Sequence, residues 1–341
     1  MAYISFQPND YFNTKLWTGT GAENAITGVG FQPDWVWIKN RDAAEHNKLY
    51  DAVRGANKVI YSNLTNAEAT VTQDVKSFDS DGFTLGTESA VNASGQDIVG
   101  WNWKANGAGS SNTDGSITST VSANTTSGFS IVKYTGTGSV GTIGHGLSAV
   151  PKMIIVKRLD SASSWSVYHS ALGNANQVYL NTTGASTSSS GWNSTDPTSS
   201  VFSIGSTASY NGSGNTYIAY AFAEKSGFSS MGSYVGNGNA DGTFVYTGFK
   251  PAFILLKNTT LSVENWVIND SGRNPSNIVD KDLFANQNYV EAVHSRQDFL
   301  SNGFKFRSTA NNSNKSGDTY IYMAFAESPI VSSNGVPAVA R

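Results

Sequence analysis

Pro33-Asp34-Trp35-Val36-Trp37-Ile38-Lys39, Pro151-Lys152-Met153-Ile154-Ile155-Val156-Lys157 and Pro251-Ala252-Phe253-Ile254-Leu255-Leu256-Lys257 are three copies of one pattern. In each, a Pro opens an apolar run that ends at a Lys six residues on. Pro fixes φ and disfavours helix in the residue before it, so it suits the first position of a strand. The run is apolar on consecutive positions and too short for a helix. It therefore reads as a strand covered on both faces.

Two further anchors keep step with these strands. Upstream stands an aromatic, one residue, then Gly: Trp17-Thr18-Gly19, Tyr134-Thr135-Gly136 and Tyr234-Val235-Gly236. Downstream stands Ser-Gly before another strand: Ser94-Gly95, Ser213-Gly214 and Ser316-Gly317. From the Pro to this Gly the intervals are 62, 63 and 66 residues. Matching order and spacing establish an internal repeat, and its length suits a small domain. The expected organisation is repeat one at 1–106 with an N-terminal arm, a Gly/Ser/Thr-rich linker at 107–126, repeat two at 127–226, repeat three at 231–329, and an extended tail at 330–341 in which Pro337 breaks any regular element.

The closing strand of repeat two alternates. Ile218, Tyr220 and Phe222 point one way, and Ala219, Ala221 and Ala223 the other. The large face should fill a core, and the small face should let a second layer approach. Asp81-Gly82 and Asn302-Gly303 read as hairpin turns. Residues 43–55 are the best place for a short helix. The expected fold is all-β: three tandem related antiparallel β-sandwiches of jelly-roll type.

Composition narrows the function. The chain has 341 residues, no Cys, four His and a net charge of −3. Disulfides and thiolate metal sites are excluded, and no basic stripe points to nucleic acid. Charged residues are 14%, against roughly 25% in ordinary domains. With 8 Trp, 15 Tyr and 17 Phe, the chain carries too large an aromatic payload for disorder. The N-terminus lacks the regions of a signal peptide, and no apolar run reaches membrane-helix length.

Several residue sets invite chemistry, each with a plainer reading. Asp79-Ser80-Asp81-Gly82 resembles the start of a calcium loop but runs straight into strand, so a turn is preferred. Asp51, His169 and Asp270 occupy similar places after the Pro strand. No recurring carboxylate pair or Ser/His/Asp order accompanies them, so surface strand-end residues are expected. Lys39, Lys157 and Lys257 end the Pro strands and are expected to reach solvent. The Gly-x-Gly pairs at Gly19/Gly21 and Gly136/Gly138 lack the strand–helix setting of a nucleotide fingerprint. Trp165 and Trp266 follow their Pro by 14 and 15 residues, and Trp192 stands alone in the Ser/Thr/Gly-rich stretch 187–200. Core packing is the commoner fate of residues such as Trp165 and Trp266, but loop aromatics also stack on sugars and anchor interfaces, so Trp192 first, then Trp165 and Trp266, are the candidate ligand contacts. No catalytic residue, metal or cofactor is expected.

Gly30-Phe31-Gln32-Pro33-Asp34-Trp35-Val36-Trp37-Ile38-Lys39-Asn40-Arg41, Phe78-Asp79-Ser80-Asp81-Gly82-Phe83 and Gly100-Trp101-Asn102-Trp103-Lys104-Ala105-Asn106-Gly107 resemble a recurrent domain of unknown function. That domain occurs in virion proteins of marine tailed bacteriophages, often labelled tail-fibre-like or structural. The opening Phe6-Gln7-Pro8-Asn9-Asp10-Tyr11-Phe12-Asn13-Thr14-Lys15-Leu16 is similar to the starts of such proteins. The specific match covers residues 1–107, with repeats two and three following more loosely. The resemblance implies a component of the virion and supplies no catalytic residues. The leading expectation is a tail-fibre or spike-type protein binding a host-surface glycan or protein. The alternative is a capsid decoration or head-fibre protein, with three modules as a pseudo-threefold unit on a capsid axis. A glycan depolymerase, which needs paired carboxylates, comes third. Expected partners are other virion proteins and the host surface, with a homotrimer by analogy.

Overall fold

The computed structural model describes residues 6–328 and the short strands Ile330–Val331 and Pro337–Ala338. The chain is 44% strand and 3% helix, with antiparallel sheets. One strand order recurs three times: opening, closing, Pro strand, third, fourth. In repeat one these are Phe12–Thr18, Asp97–Trp103, Trp35–Asn40, Lys48–Asp51 and Lys58–Tyr61. In repeat two they are Phe129–Thr135, Thr216–Phe222, Met153–Arg158, Ser166–His169 and Asn176–Tyr179. In repeat three they are Ser229–Val235, Thr319–Ala326, Pro251–Asn258, Trp266–Asp270 and Val279–Phe284.

The outer two sequence anchors meet within each repeat. Gly19 N donates to Gln96 O and Gly95 N to Gly19 O, and the same exchange joins Gly136 with Asn215 and Gly214, and Gly236 with Asp318 and Gly317. A Cβ at Gly19, Gly136 or Gly236 would lie 2.1, 2.4 and 2.3 Å from a backbone carbonyl oxygen. Glycine is required there because two backbones touch.

Every Pro strand is buried on both sides, as its run of apolar residues requires. One face of each joins a private core: Val36 and Ile38 in repeat one, Ile154 and Val156 in repeat two, Ile254 and Leu256 in repeat three. A second layer covers that face. It consists of Asn24–Ile26, Val75–Asp79 and Gly82–Leu85 in repeat one, and Gly141–Gly144 with Val201–Ile204 in repeat two. In repeat three, Ala292–Leu300, Gly303–Phe306 and Phe244–Tyr246 continue the main sheet past its fourth strand.

The opposite faces of all three sheets share one core. Trp35, Trp37, Trp101 and Trp103 meet Ile155, Ile218, Tyr220 and Phe222, together with Phe253, Leu255, Met323 and Phe325. Trp35 stacks on Tyr220 at 4.5 Å between ring centroids, and Phe12 on Phe325 at 5.0 Å. The alternation of the closing strand is thus explained. Ile218, Tyr220 and Phe222 enter the shared core, and Ala219, Ala221 and Ala223 let the outer layer approach. Independent beads on linkers do not describe this chain, because each repeat completes its neighbours' burial.

Several expectations fail. Lys48–Asp51 is a strand where a helix was expected over 43–55. Its residues carry the pairing partners of Trp35, Val36, Trp37 and Ile38, and sheet pairing outweighs local propensity. Among the described residues the helices are a 3-10 turn at Pro8–Asp10 and single α-turns at Ser89–Asn92 and Ala208–Asn211. Within 107–126, rather than forming a linker, Ser119–Asn124 pairs with the opening strand of repeat two and Ser110–Asn112 pairs with Ser119–Asn124, with Ile117 and Val121 buried. Pro337 begins a strand paired with Ile330–Val331, and the remainder of the tail lies outside the described residues.

Candidate functional site

The groups that looked chemical converge on the seams between repeats. Lys39, Lys157 and Lys257 are all fully buried, contrary to their expected reach to solvent. Each ammonium donates to the carbonyl of the next residue, to one in the following loop, and to one on the neighbouring repeat. Lys39 Nζ reaches Asn40 O, Ala43 O and Asn288 O. Lys157 Nζ reaches Arg158 O, Ser163 O and Thr65 O. Lys257 Nζ reaches Asn258 O, Glu264 O and Thr183 O. Repeat one thus holds repeat three, two holds one, and three holds two, which closes a ring. Burial pushes each lysine down to about 8.

Trp165 and Trp266 repeat the cycle. Trp165 Nε1 donates to Tyr61 O in repeat one at 2.9 Å, and Trp266 Nε1 to Tyr179 O in repeat two at 3.0 Å. Repeat one has Asn47 at this place, and its amide donates to Phe284 O in repeat three at 3.1 Å. Trp37, on the adjacent strand, supplies the bulk that Asn47 lacks and donates to its Oδ1.

Asp51, His169 and Asp270 complete the ring from inside the shared core, not from the surface; all three are fully buried. Asp51 accepts from Tyr220 OH of repeat two at 2.7 Å, and Asp270 from Trp101 Nε1 of repeat one at 3.0 Å. Each carboxylate is paired with a buried arginine three residues on, Arg54 and Arg273. Arg54 then holds Leu49 O and Lys58 O, and Arg273 holds Ile268 O and Lys281 O. The third seam breaks the pattern consistently. Met323 takes the place of Trp101 and Tyr220 and offers no donor, and Leu172 replaces the arginine. A carboxylate there would be buried without its partners, which is costly. His169 stands instead and uses its own Nε2 to donate to Tyr322 O at 3.2 Å, while Nδ1 accepts from Ala171 N. Burial pushes this imidazole down to about 4, so it is neutral. These three positions are structural, and no nucleophile or base is poised among them.

Trp192, expected as a loop contact, is 1% exposed. Its ring is wedged against Tyr168 and Tyr210, at 5.6 and 5.2 Å, in the private core of repeat two. The polar loop folds inward because Gly191 lies against the Tyr210 ring, leaving no room for a side chain. A stacking platform needs an exposed ring face, and Trp165, Trp192 and Trp266 have none. Asp79 and Asp81 serve the turn. Asp81 accepts from Gly28 N and Gly30 N, which hold its carboxyl below the usual range, and Asp79 accepts from Ser77 and Thr84 hydroxyls. Among the described residues no cluster of three or more His, Cys, Asp or Glu is placed to hold a metal. No described helix is long and apolar enough to cross a membrane.

Reading the sequence missed Asn92, Asn211 and Asn314, all fully buried. Each lies two residues before the Ser of a Ser-Gly anchor, which was the available signal. Each side-chain oxygen accepts from a backbone N–H in the loop after the opening Gly, at Thr20, Thr137 and Asn237. The exposed surface is most distinctive on repeat three. There an open depression of about 400 Å³ is walled by Glu264, Phe284, His294 and Asn312, with Tyr289 half-exposed beside Phe284.

No curated protein and no solved structure matches the chain. Residues 7–329 match the family model described as Domain of unknown function (DUF7483), a span that takes in all three repeats, and the chain belongs to that family.

Proposed function

We propose that this chain is a rigid, non-catalytic surface protein of a tailed-phage particle, a fibre- or spike-type head that binds a host-surface glycan or protein. The observation that carries the reading is the closed ring of seams. The recurring Lys39, Lys157 and Lys257, with Asp51, His169 and Asp270, are spent on joining three repeats around one core. We read each repeat as a jelly-roll-like β-sandwich, so that one chain makes the three-lobed body usually made by three. Small polar loops on such a body suit wet, adaptable contacts. The virion setting rests on the resemblance of residues 1–107.

The same ring favours a second reading, a capsid decoration or head-fibre protein seated on a threefold axis. The two separate in one experiment. Purified protein is offered to host cells and to emptied capsids. Retention on cells alone supports the adhesin, and retention on capsids alone supports decoration. Retention on neither, or release of reducing ends from host glycan, contradicts the proposal.

A further inference from the structure

The three seams are built alike but not filled alike. At two of them, the opening strand of one repeat lies beside the Pro strand of another: Phe129 is 5.6 Å from Trp35, and Phe12 is 5.5 Å from Phe253. Two residues further along the opening strand, repeats two and three carry Ile131 and Met231, both in the shared core. Repeat one carries Thr14. On the facing hairpin, two residues after the seam Asp or His, repeats one and two carry Val53 and Ala171, and repeat three carries Gly272. An ideal Cβ on Gly272 would sit 2.9 Å from Thr14 Cγ2, so these two positions face each other directly.

Where the seam between repeats one and two brings Ile131 and Val53 onto the shared core, Thr14 and Gly272 leave the seam between repeats one and three open. It holds a cleft of about 320 Å³, at the small end of ligand pockets. Its floor is apolar: Phe12, Ala252 and Ala326. Its walls are polar: Asn13, Ser271 and the Glu327 carboxylate, itself 2.7 Å from Lys250 Nζ. Thr14 Oγ1 is buried there with no hydrogen-bond partner among the described residues, and buried polar atoms without partners are rare. A second hollow of about 190 Å³ continues past Ser271 toward Asn274 and Asn277.

We propose that this seam binds a single pyranose unit of a glycan, the apolar ring face on the floor and the hydroxyls on Thr14, Asn13, Ser271 and Glu327. An apolar body edged with alternating donors and acceptors is the chemistry the cleft matches. The inference rests on the binding reading above and gives it a place and a ligand class.

The test uses the full chain with D-glucose, D-galactose and N-acetyl-D-glucosamine as probes, read by saturation-transfer NMR. Thr14→Ile copies Ile131 and Gly272→Val copies Val53. Both fill the cleft from opposite walls with the residues other seams already use. At least one sugar is expected to receive saturation from the wild type. That transfer should fall at least tenfold in both variants, with urea midpoints unchanged or higher. If one variant lowers the midpoint, the other decides. No transfer to any of the three sugars, or transfer that survives filling, overturns the proposal. Cell binding is measured in parallel. Binding to cells that is indifferent to filling removes the seam site and leaves the adhesin reading. Sugar binding lost on filling, with no binding to cells, keeps the site and removes that reading.

Discussion

Replacing Lys157 by Met removes an ammonium that donates to Thr65 O, Arg158 O and Ser163 O at 3.1, 2.9 and 3.0 Å. Three hydrogen bonds from a charged group contribute about 4.5 kcal/mol at the low end of ~1.5–3 each. Against this, Met relieves the buried charge. The fall from 10.5 to about 8 corresponds to roughly 3 kcal/mol at about 1.4 kcal/mol per pH unit. The net expected loss is ~1–2 kcal/mol, read as a lower urea midpoint at pH 7.5. The pH dependence gives an independent check. The folded state releases these protons near pH 8 and the unfolded state near 10.5, so the unfolded chain holds more protons between. Stability from the lysines therefore rises with pH across that window. The difference in stability between wild type and Lys157→Met should grow from pH 7.5 to 9.5. Lys39→Met and Lys257→Met should behave alike, since all three sites share one geometry. A neutral or stabilising Lys157→Met, or a difference that does not change with pH, would refute the staple.

Tyr220→Phe and Trp101→Phe each leave a buried carboxylate short of one donor and should cost ~1–3 kcal/mol by urea unfolding, whereas Met323→Leu at the equivalent place should cost under about 1.5 kcal/mol. His169 is neutral when folded and titrates near 4 instead of 6.5. Its stability is present above pH 6.5 and is lost as pH falls through the window to 4, by up to roughly 3 kcal/mol. Asp282, pushed up to about 6 by burial, acts in the opposite direction, so the comparison of interest is wild type against His169→Gln, whose acid limb should be flatter. Trp192→Ala should cost about 3–5 kcal/mol as a core truncation while leaving binding to cells intact wherever the variant remains folded. Gly19→Ala should lower the unfolding midpoint, because its Cβ meets the Ala93 carbonyl at 2.1 Å.

The strands and their repeat were legible because burial leaves a period. The Pro strands are apolar on both faces and the closing strands alternate, and both patterns describe their surroundings correctly. The ring was not legible. Lys39, Lys157 and Lys257 were visible as a repeated residue, but lysines at strand ends ordinarily lead to water, and nothing local announces that another repeat's carbonyl waits there. Asp51, His169 and Asp270 were aligned in the sequence, yet only the fold shows that each changes in step with Tyr220, Met323 and Trp101 on another repeat. Trp192 misled because a Ser/Thr-rich stretch reads as exposed, while Gly191 against Tyr210 turns it inward. The Thr14–Gly272 cleft needs two residues more than two hundred and fifty positions apart to be seen face to face.

Differential scanning calorimetry of the intact chain tests the shared core most directly. If the three repeats complete one another's burial, the chain unfolds in a single transition whose calorimetric enthalpy equals its van't Hoff enthalpy. Three separable transitions, or a calorimetric enthalpy near three times the van't Hoff value, would mean that the repeats fold independently and that the ring of seams contributes little.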